Sequence, residues 1–262
     1  MFEQQPEILQ QKVKSYATDS IERQDPSGWF EPLYAEAKGD AEQIPWAKNQ
    51  PHPYLQDWLQ THPPKKDKLA LVIGCGLGDD AELLSSLGYQ ATAFDISPTA
   101  IAWCKQRFPE SNVNYLVADL FNLDSEWQGK FDFVFECRTV QALPLDVRSS
   151  AIGAIASLVA KNGTLIVVTR HRQDNTIPEG PPWALSDQEL SQSIKLGMTE
   201  VRCDRFLNGA LRQRPFGILH SSSAVSLMRE TMPVPTTEGT SETEGNPLGQ
   251  RTGSLRPRCI AL

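Results

Sequence analysis

The chain has 262 residues, a net charge of −7 and 40% hydrophobic residues, which suits one well-packed catalytic domain with appended segments. The acidic balance argues against a nucleic-acid partner, which selects for a basic face, and no apolar run is long enough to predict a membrane span. Five cysteines without metal-ligand spacing indicate free thiols in a reducing cytoplasm, and we expect no bound metal.

Three zones follow one another along the chain. Residues 1–65 carry Trp, Pro and His in their second half and predict an N-terminal helical cap or lid. Residues 66–228 alternate strand and helix patterns, which is typical of one α/β domain. Residues 229–262 are dominated by Thr, Glu, Gly, Pro and Ser. Such a composition offers little apolar surface to offset the entropy of ordering, so we expect a disordered tail.

The most informative pattern is a strand, a glycine-rich turn, a helix and a second strand. Leu69–Ile73 is a short apolar run that suits a buried parallel strand. Three glycines follow at once, and they allow a sharp turn and a close approach to a ligand: Gly74, Gly76 and Gly78. Ala81–Leu87 predicts a helix, and Ala91–Phe94 predicts a second strand that ends at Asp95.

The turn also indicates which cofactor is bound. A carboxylate at Asp95, about 20 residues after the first glycine, suits the hydroxyls of a ribose. A dinucleotide site needs G-x-G-x-x-G and a helix start that accepts pyrophosphate. Here the pattern is G-x-G-x-G, and the acids Asp79 and Asp80 would repel a pyrophosphate but could meet an ammonium group. The sequence therefore predicts S-adenosylmethionine (SAM) rather than NAD.

Further elements continue the alternation. A helix is predicted over residues 146–160. A sixth strand begins near Thr199 and can extend through Leu207, and Phe216–His220 is the candidate for an antiparallel seventh strand. The third, fourth and fifth strands are predicted, in this order, at Asn114–Ala118, Phe131–Glu136 and Gly163–Thr169.

With these motifs the chain resembles the class I SAM-dependent methyltransferases. The motifs that carry the resemblance are VIGCGLGDD, TAFDIS, LVADL, FDFVFE and KNGTLIVV. The resemblance implies a doubly wound, seven-stranded, mostly parallel sheet of Rossmann-like type. It also implies a ribose role for Asp95 and a place beside the adenine for Asp119 and Leu120. The full set of expected cofactor residues is Trp46, Gly74, Cys75, Gly76, Gly78, Asp80, Asp95, Ile96, Asp119, Leu120 and Cys137.

A narrower resemblance points to the thiopurine and halide or thiol methyltransferase branch. Pro45, Trp46 and Leu59 match the cap that folds over the cofactor in that branch, and ECRTVQALP resembles the end of its fourth strand. Aligning the shared Ala-Leu-Pro puts Cys137, not Arg138, at the position of the family's arginine. On a strand, a shift of one residue means the opposite face.

The same resemblance implies where the acceptor binds and what it is. Arg138 and Gln141 follow the fourth strand and are the candidate substrate-pocket residues, together with the proline-rich segment Pro178–Leu190. No N/D-P-P-[YF] motif of nitrogen-directed members follows that strand, which disfavours amine or nucleobase acceptors. The branch resemblance implies a small soft acceptor such as a thiol or a halide. We also expect a monomeric enzyme. Two alternatives remain at this point: a SAM-binding or interaction protein with little activity, and an NAD(P)-binding oxidoreductase.

Overall fold

A computed structural model of the chain describes residues 7–207, except 65, 174, 175, 177 and 179, and also residues 224–231. The chain divides into two compact units, Met1–Met232 and Pro233–Leu262, and every described residue belongs to the first. The helices are α1 (Glu7–Glu22), α2 (Phe30–Ala37), α3 (Pro53–Thr61), α4 (Asp79–Ser86), α5 (Pro98–Arg107), α6 (Arg148–Leu158), α7 (Asp187–Leu190) and α8 (Gln192–Lys195). The strands are β1 (Leu69–Ile73), β2 (Gln90–Asp95), β3 (Asn114–Val117), β4 (Phe131–Cys137), β5 (Val159–His171), β6 (Thr199–Leu207) and β7 (Ala224–Thr231).

The strands lie in the order β3-β2-β1-β4-β5-β7-β6, and every described pairing is parallel. The predicted α/β class with a Rossmann-like parallel sheet is confirmed. The strand order reverses at β1, which has β2 on one side and β4 on the other. In open parallel sheets, ligands bind in the crevice at such a reversal, outside the carboxyl ends of the strands. The fold therefore brings the segments after β1, β2 and β4 to one edge.

Alternating side chains of the central strands fill two apolar layers, one on each face of the sheet. Val72 and Phe135 pack with Leu55 of α3 on one face. Leu71 packs on the other face in the same cluster as Ile155 of α6. Because both faces of β1 are covered, nearly its whole length is buried, which explains why a continuous apolar run locates this strand correctly.

The bounds of α6 and β5 differ from the prediction. α6 ends at Leu158, before the predicted limit of 160, and β5 begins at Val159 rather than at Gly163. The register between β4 and β5 shifts between Phe131 and Phe133, so Phe131 already pairs with Val159. A glycine such as Gly163 would ordinarily mark the start of a strand. Because of the register shift, β5 begins before it.

The last strand also differs from the prediction. An antiparallel strand was expected to close the sheet. β7, the last strand along the chain, instead pairs in parallel with both β5 and β6, so that expectation is wrong for β7. The predicted candidate, Phe216–His220, lies outside the described residues. Residues 229–231, expected to belong to the tail, are part of β7, and the rest of that tail lies outside the described residues.

The N-terminal helices pack on the site edge of the sheet. Tyr34 and Ile44 form one cluster with Leu77 of the glycine turn and Ala100 of α5. Side chains from α1 and α2 form a second cluster around Trp29. The cap thus shares its apolar contacts with the segments that follow β1 and β2.

The glycine turn allows a test of local sterics. Gly78 and Gly88 both have a left-handed backbone, with φ of +90° and +94°. A Cβ at Gly78 would lie 2.5 Å from the Tyr115 hydroxyl, whereas a Cβ at Gly88 would meet nothing within 4 Å. Gly88→Ala should cost only the backbone strain, about 1–2 kcal/mol. Gly78→Ala should cost about 1–3 kcal/mol more because of overpacking. Urea unfolding of the two variants measures the difference, and equal losses would contradict the packing of this turn.

Candidate functional site

The turn after β1 passes close under the end of β4. Gly74, Gly76 and Gly78 all have positive φ, which only glycine adopts without strain. A Cβ at Gly74 would lie 2.5 Å from the Thr139 hydroxyl oxygen, so the turn has no room for a side chain there. The backbone N–H of Cys75 donates to the Phe94 carbonyl at 2.9 Å and continues the pairing of β1 with β2.

Asp95 lies at the tip of β2 and is bonded to the glycine turn. One carboxylate oxygen accepts from the Gly76 N–H and the other from the Ser97 N–H, each at 3.0 Å. Its exposed fraction is 6%, and burial raises its pKa to about 6 although these bonds lower it. Ile96 follows it, half-buried. Asp95 therefore both shapes the turn and places a carboxylate at the switch point.

The two acids that open α4 have different partners. Asp79 forms two hydrogen bonds with the Arg107 guanidinium, at 2.8 and 2.9 Å, so it belongs to a structural ion pair. Asp80 accepts from the His52 backbone N–H at 2.6 Å, and burial raises its pKa to about 7. The structure therefore favours Asp80 over Asp79 as the acid that could meet an ammonium group.

The cap places two aromatic residues over the glycine turn. The Trp46 indole N–H donates to the Tyr34 hydroxyl at 2.8 Å, and the two rings pack edge to face. A Cβ at Gly76 would come within 3.3 Å of that hydroxyl and within 4.0 Å of the Trp46 ring. Burial and the nearby charge of Asp95 raise the pKa of Tyr34. The predicted place of Trp46 over the cofactor turn fits this contact, whereas the sequence analysis did not select Tyr34.

Glu31 fastens the cap beside Asp95. Its carboxylate accepts from the hydroxyls of Ser97 and Thr99 and from the Thr99 N–H, at 2.5, 2.6 and 3.1 Å. Although burial acts to raise it, these bonds hold the pKa of Glu31 below its usual value. The partners lie 66 and 68 residues further along the chain, so no local pattern signals this contact.

Asp119 and Leu120 follow β3 beside the end of β2. The Ala118 N–H donates to the Asp95 carbonyl at 3.1 Å, so the two strand ends lie side by side. The Asp119 carboxylate accepts from the Phe121 N–H at 2.9 Å and begins a short 3-10 turn, and Leu120 is buried in the layer on the α6 face. Asp119 is thus placed near Asp95, with one of its oxygens already used in the turn.

Cys137 is the last residue of β4, and Arg138 follows it with a different backbone conformation. Cys137 packs on the α3 face of the sheet. Arg138 has a left-handed backbone with φ of +66°, and its N–H donates to the Val168 carbonyl at 2.8 Å. Strand alternation therefore does not fix the side of Arg138. Burial, together with the charge of Arg138, lowers the pKa of His52, the residue before α3, to about 3.

Gln141 is buried between β4 and β5. Its side-chain oxygen accepts from the Arg170 N–H at 2.6 Å and from the Thr169 hydroxyl at 3.2 Å. Its backbone carbonyl accepts from the Trp183 N–H at 2.7 Å. The structure therefore brings Gln141 and the predicted loop at 178–183 together, with the Gln141 oxygen already bonded to the protein.

Glu136 is a buried acid that the sequence analysis noted at the strand end without assigning a role. It has no exposed surface, and one oxygen accepts from the N–H groups of Thr139 and Val140, at 2.5 and 3.1 Å. Its second oxygen has no hydrogen-bond partner and lines a small cavity beside α6. Burial raises the pKa of Glu136 to about 7.

The arrangement defines a nucleoside-binding α/β protein of the Rossmann-like class: a glycine turn after β1 and a buried acid after β2, at the switch point of a parallel sheet. The model of the thiopurine S-methyltransferase family (TPMT) matches residues 36–231, which is most of the chain. The chain belongs to the thiopurine S-methyltransferase family and is a SAM-dependent methyltransferase, so the predicted family and cofactor are confirmed and an oxidoreductase is excluded.

Individual relatives agree with this assignment. A "Probable thiopurine S-methyltransferase" of Yarrowia lipolytica is 24% identical over 62% of this chain and 84% of that protein. A ubiquinone biosynthesis O-methyltransferase of Xanthomonas campestris is 34% identical over 39% of this chain, and the match spans only 43% of that relative. A solved structure described as "Conversion of a Disulfide Bond into a Thioacetal Group during Echinomycin Biosynthesis" shares the fold, with a TM-score of 0.53 and 22% identity over 64% of this chain and 76% of the other.

Two further observations concern metal binding and membrane spans. Among the described residues, no group of three His, Cys, Asp or Glu side chains is placed to hold a metal ion. In the same residues, no helix combines the length and apolar content needed to cross a membrane.

Asp95 should determine cofactor affinity. Asp95→Ala removes a buried charged acceptor and should weaken SAM binding by about 1.5–3 kcal/mol, which is roughly 10–150-fold in Kd. Isothermal titration calorimetry measures this change. Asp132→Ala, at the amino end of β4, serves as the matched control and should leave the Kd unchanged. Equal affinity for SAM in Asp95→Ala and wild type would exclude Asp95 as a ligand.

Glu136 should make stability depend on pH. Its folded pKa is about 7 and its ordinary value 4.5, so its contribution to stability is full below 4.5 and is lost as pH rises to 7. Glu136→Gln removes this loss of stability at high pH, because glutamine does not ionise. The variant should gain about 1–3 kcal/mol relative to wild type at about pH 8 and much less at about pH 5, measured by urea unfolding.

Asp132, on the same strand as Glu136, should give the opposite dependence of stability on pH. Hydrogen bonds from Lys68 and Leu69 hold its pKa below the usual range, although burial acts to raise it. Asp132→Asn should therefore lose stability at about pH 8, and the loss should shrink in acid. A gain for Asp132→Asn, or no pH dependence for Glu136→Gln, would contradict these two environments.

Proposed function

We propose that this enzyme transfers the methyl group of SAM to a small, soft, anionic acceptor, in the first place a thiolate. The observation that carries the proposal is the place of Arg138 directly after β4, at the carboxyl edge of the sheet, where its N–H donates to the Val168 carbonyl at 2.8 Å. Arg138 supplies a positive charge at the site edge, and His52, whose pKa falls to about 3, is a weak base. An acceptor that arrives as an anion needs the charge and does not need a base.

The cofactor side is proposed to consist of the glycine turn, the acids and the cap. Asp95 would accept from the ribose, Asp80 would face the ammonium group, and Trp46 would exclude water from above. The glycine backbone would approach the ligand closely, and the ends of β3 and β4 would border it. The remaining proposed contacts are Gly74, Cys75, Gly76, Gly78, Ile96, Asp119, Leu120 and Cys137.

The residues present fit a cationic ligand at this edge. Burial raises the pKa values of Asp80 and Asp95 to about 7 and about 6, which means that each carboxylate lacks compensating positive charge. A sulfonium and an ammonium would supply that charge nearby. When bound, SAM supplies an activated methyl group. The chain's own part is to align the acceptor and exclude water.

The acceptor side is proposed to lie between Arg138, Gln141 and the segment at 178–183. Arg138 would hold the anion in place, and the backbone contact between Gln141 and Trp183 would close the wall behind it. A thiolate or a halide is soft and already charged, which favours it over an amine that must first lose a proton. The name thiopurine S-methyltransferase, which two relatives carry, refers to a sulfur acceptor and supports a thiolate here.

The proposal is tested by following methyl transfer from SAM to thiophenol, iodide and aniline. We expect turnover of thiophenol and little or none of aniline. With a thiol of higher pKa, such as 2-mercaptoethanol, the rate should rise with pH as that thiol ionises, because the proposed acceptor reacts as the anion. Preferred methylation of the amine would overturn the proposal.

Arg138 should affect the acceptor and not the cofactor. Arg138→Ala should raise the KM for thiophenol roughly 10–100-fold, since it removes a charge-assisted contact, while the Kd for SAM stays nearly constant. Lys161→Ala, at an exposed position before Gly163, is the control and should behave as wild type. If Cys137→Ala abolishes acceptor use and Arg138→Ala does not, Cys137 rather than Arg138 lines the acceptor site.

A further inference from the structure

Arg148 is the first residue of α6, and its side chain is 1% exposed. The guanidinium bonds to backbone carbonyls from two separate segments. From the segment after β4 it reaches the carbonyls of Leu143 and Gln141, at 3.0 and 3.4 Å. From the loop before α7 it reaches those of Trp183 and Ala184, at 2.5 and 3.4 Å. One planar fork thus holds together both walls of the proposed acceptor site.

Glu189 compensates the buried charge of Arg148. One carboxylate oxygen accepts from the Arg148 guanidinium at 2.9 Å. The other accepts from Arg172 and from the Ser186 N–H, each at 2.8 Å, and the Ser186 hydroxyl completes a capping box at the start of α7. A buried cation is tolerated only when it is paired and its donors are satisfied, and both conditions hold here.

The same loop is joined to β5 by backbone bonds. The Leu185 N–H donates to the Arg170 carbonyl, and the Arg172 N–H donates back to the Leu185 carbonyl, both at 2.9 Å. Bonds on that side anchor the loop to the sheet. The Arg148 fork and the bond from the Trp183 N–H to the Gln141 carbonyl fix the loop against the turn after β4.

We propose that Arg148 is a positioning residue for the acceptor. It sets the distance between the Gln141 turn and the Trp183 loop, and so the width of the acceptor site, without touching the acceptor. This inference rests on the proposed function. The reason to assign a positioning role is energetic: a buried ion pair is weak evidence for stability, because apolar residues of similar volume often stabilise a fold equally well. What apolar residues cannot do is bind carbonyls from two segments at fixed positions.

The test uses Arg148→Lys in the full chain with SAM bound. Lysine keeps the charge, but its ammonium has three N–H donors and cannot replace the five by which the guanidinium bonds both segments and Glu189 at once. Hydrogen exchange of the Trp183 amide is the direct readout, with the Cys75 amide in the glycine turn as the internal reference. The kinetic readouts are the KM for thiophenol and the Kd for SAM. Arg202→Lys is the matched control, because Arg202 forms ion pairs with Asp57 and Asp204.

We expect Arg148→Lys to speed exchange at Trp183 and to raise the KM for thiophenol about tenfold, with exchange at Cys75 and the Kd for SAM within about twofold of wild type. Arg202→Lys should change none of these. Should Arg148→Lys unfold, the double variant Arg148→Met with Glu189→Gln removes the ion pair between these two residues, keeps an amide oxygen that can accept from Arg172, and should give the same pattern.

Other outcomes separate this inference from the proposed function. A lowered melting temperature with unchanged Trp183 exchange and an unchanged KM would overturn the positioning role. So would a rise in KM matched by an equal rise in the Kd for SAM. If wild type methylates no thiol, the proposed function fails, and the exchange at Trp183 alone decides whether Arg148 holds the two segments together.

Discussion

The loops at the carboxyl edge of this sheet depend on buried charged side chains that bond to the backbone. Asp80, Asp95 and Glu136 each accept from main-chain N–H groups of a neighbouring segment. Arg148 does the converse and donates to main-chain carbonyls. Segments that leave parallel strands cannot continue the ladder, so their polar groups need other partners. Here ionised or titratable groups provide those partners, and they fix the loops more strongly than neutral bonds would.

This solution has an electrostatic cost. Burial raises the pKa values of Asp80, Asp95 and Glu136, so at neutral pH the free protein holds carboxyl groups whose charged forms are poorly compensated. Asp80 and Asp95 lie on the proposed cofactor side, where a cationic ligand relieves the cost. Glu136 faces the α6 layer instead, so the same relief does not reach it. The first two carboxylates are therefore suited to binding, and Glu136 to holding the turn that carries Arg138.

The parts that the sequence predicted are those with local causes. β1 is apolar because both of its faces are covered, and the glycines at 74, 76 and 78 are required by positive φ and close contacts. Glu31, Tyr34 and Arg148 were missed because each has partners outside its own segment of the chain. A glutamate, a tyrosine and an arginine within helical segments look like ordinary surface residues until the fold brings their partners together. The same holds for β7, whose direction is set by its pairing with β5 and β6 rather than by its own residues.

Arg138 shows the limit of strand periodicity as a guide to function. The alternation that assigns faces along β4 holds to Cys137 and then ends, because the next residue turns into the left-handed region. Register alone would place Arg138 away from α3, but because its backbone is left-handed, register does not decide on which side of the sheet its side chain lies.

The charges at the site edge are also separated by side. The acids Asp80 and Asp95 follow β1 and β2, whereas Arg138 follows β4. A cationic methyl donor and an anionic acceptor would each be drawn to the side of opposite charge, and the reacting atoms would meet between them. Such an arrangement orients both partners before any bond changes, which is where a methyltransferase gains most, because its donor is already activated. The fold separates the charges simply because consecutive strands end on either side of the reversal at β1.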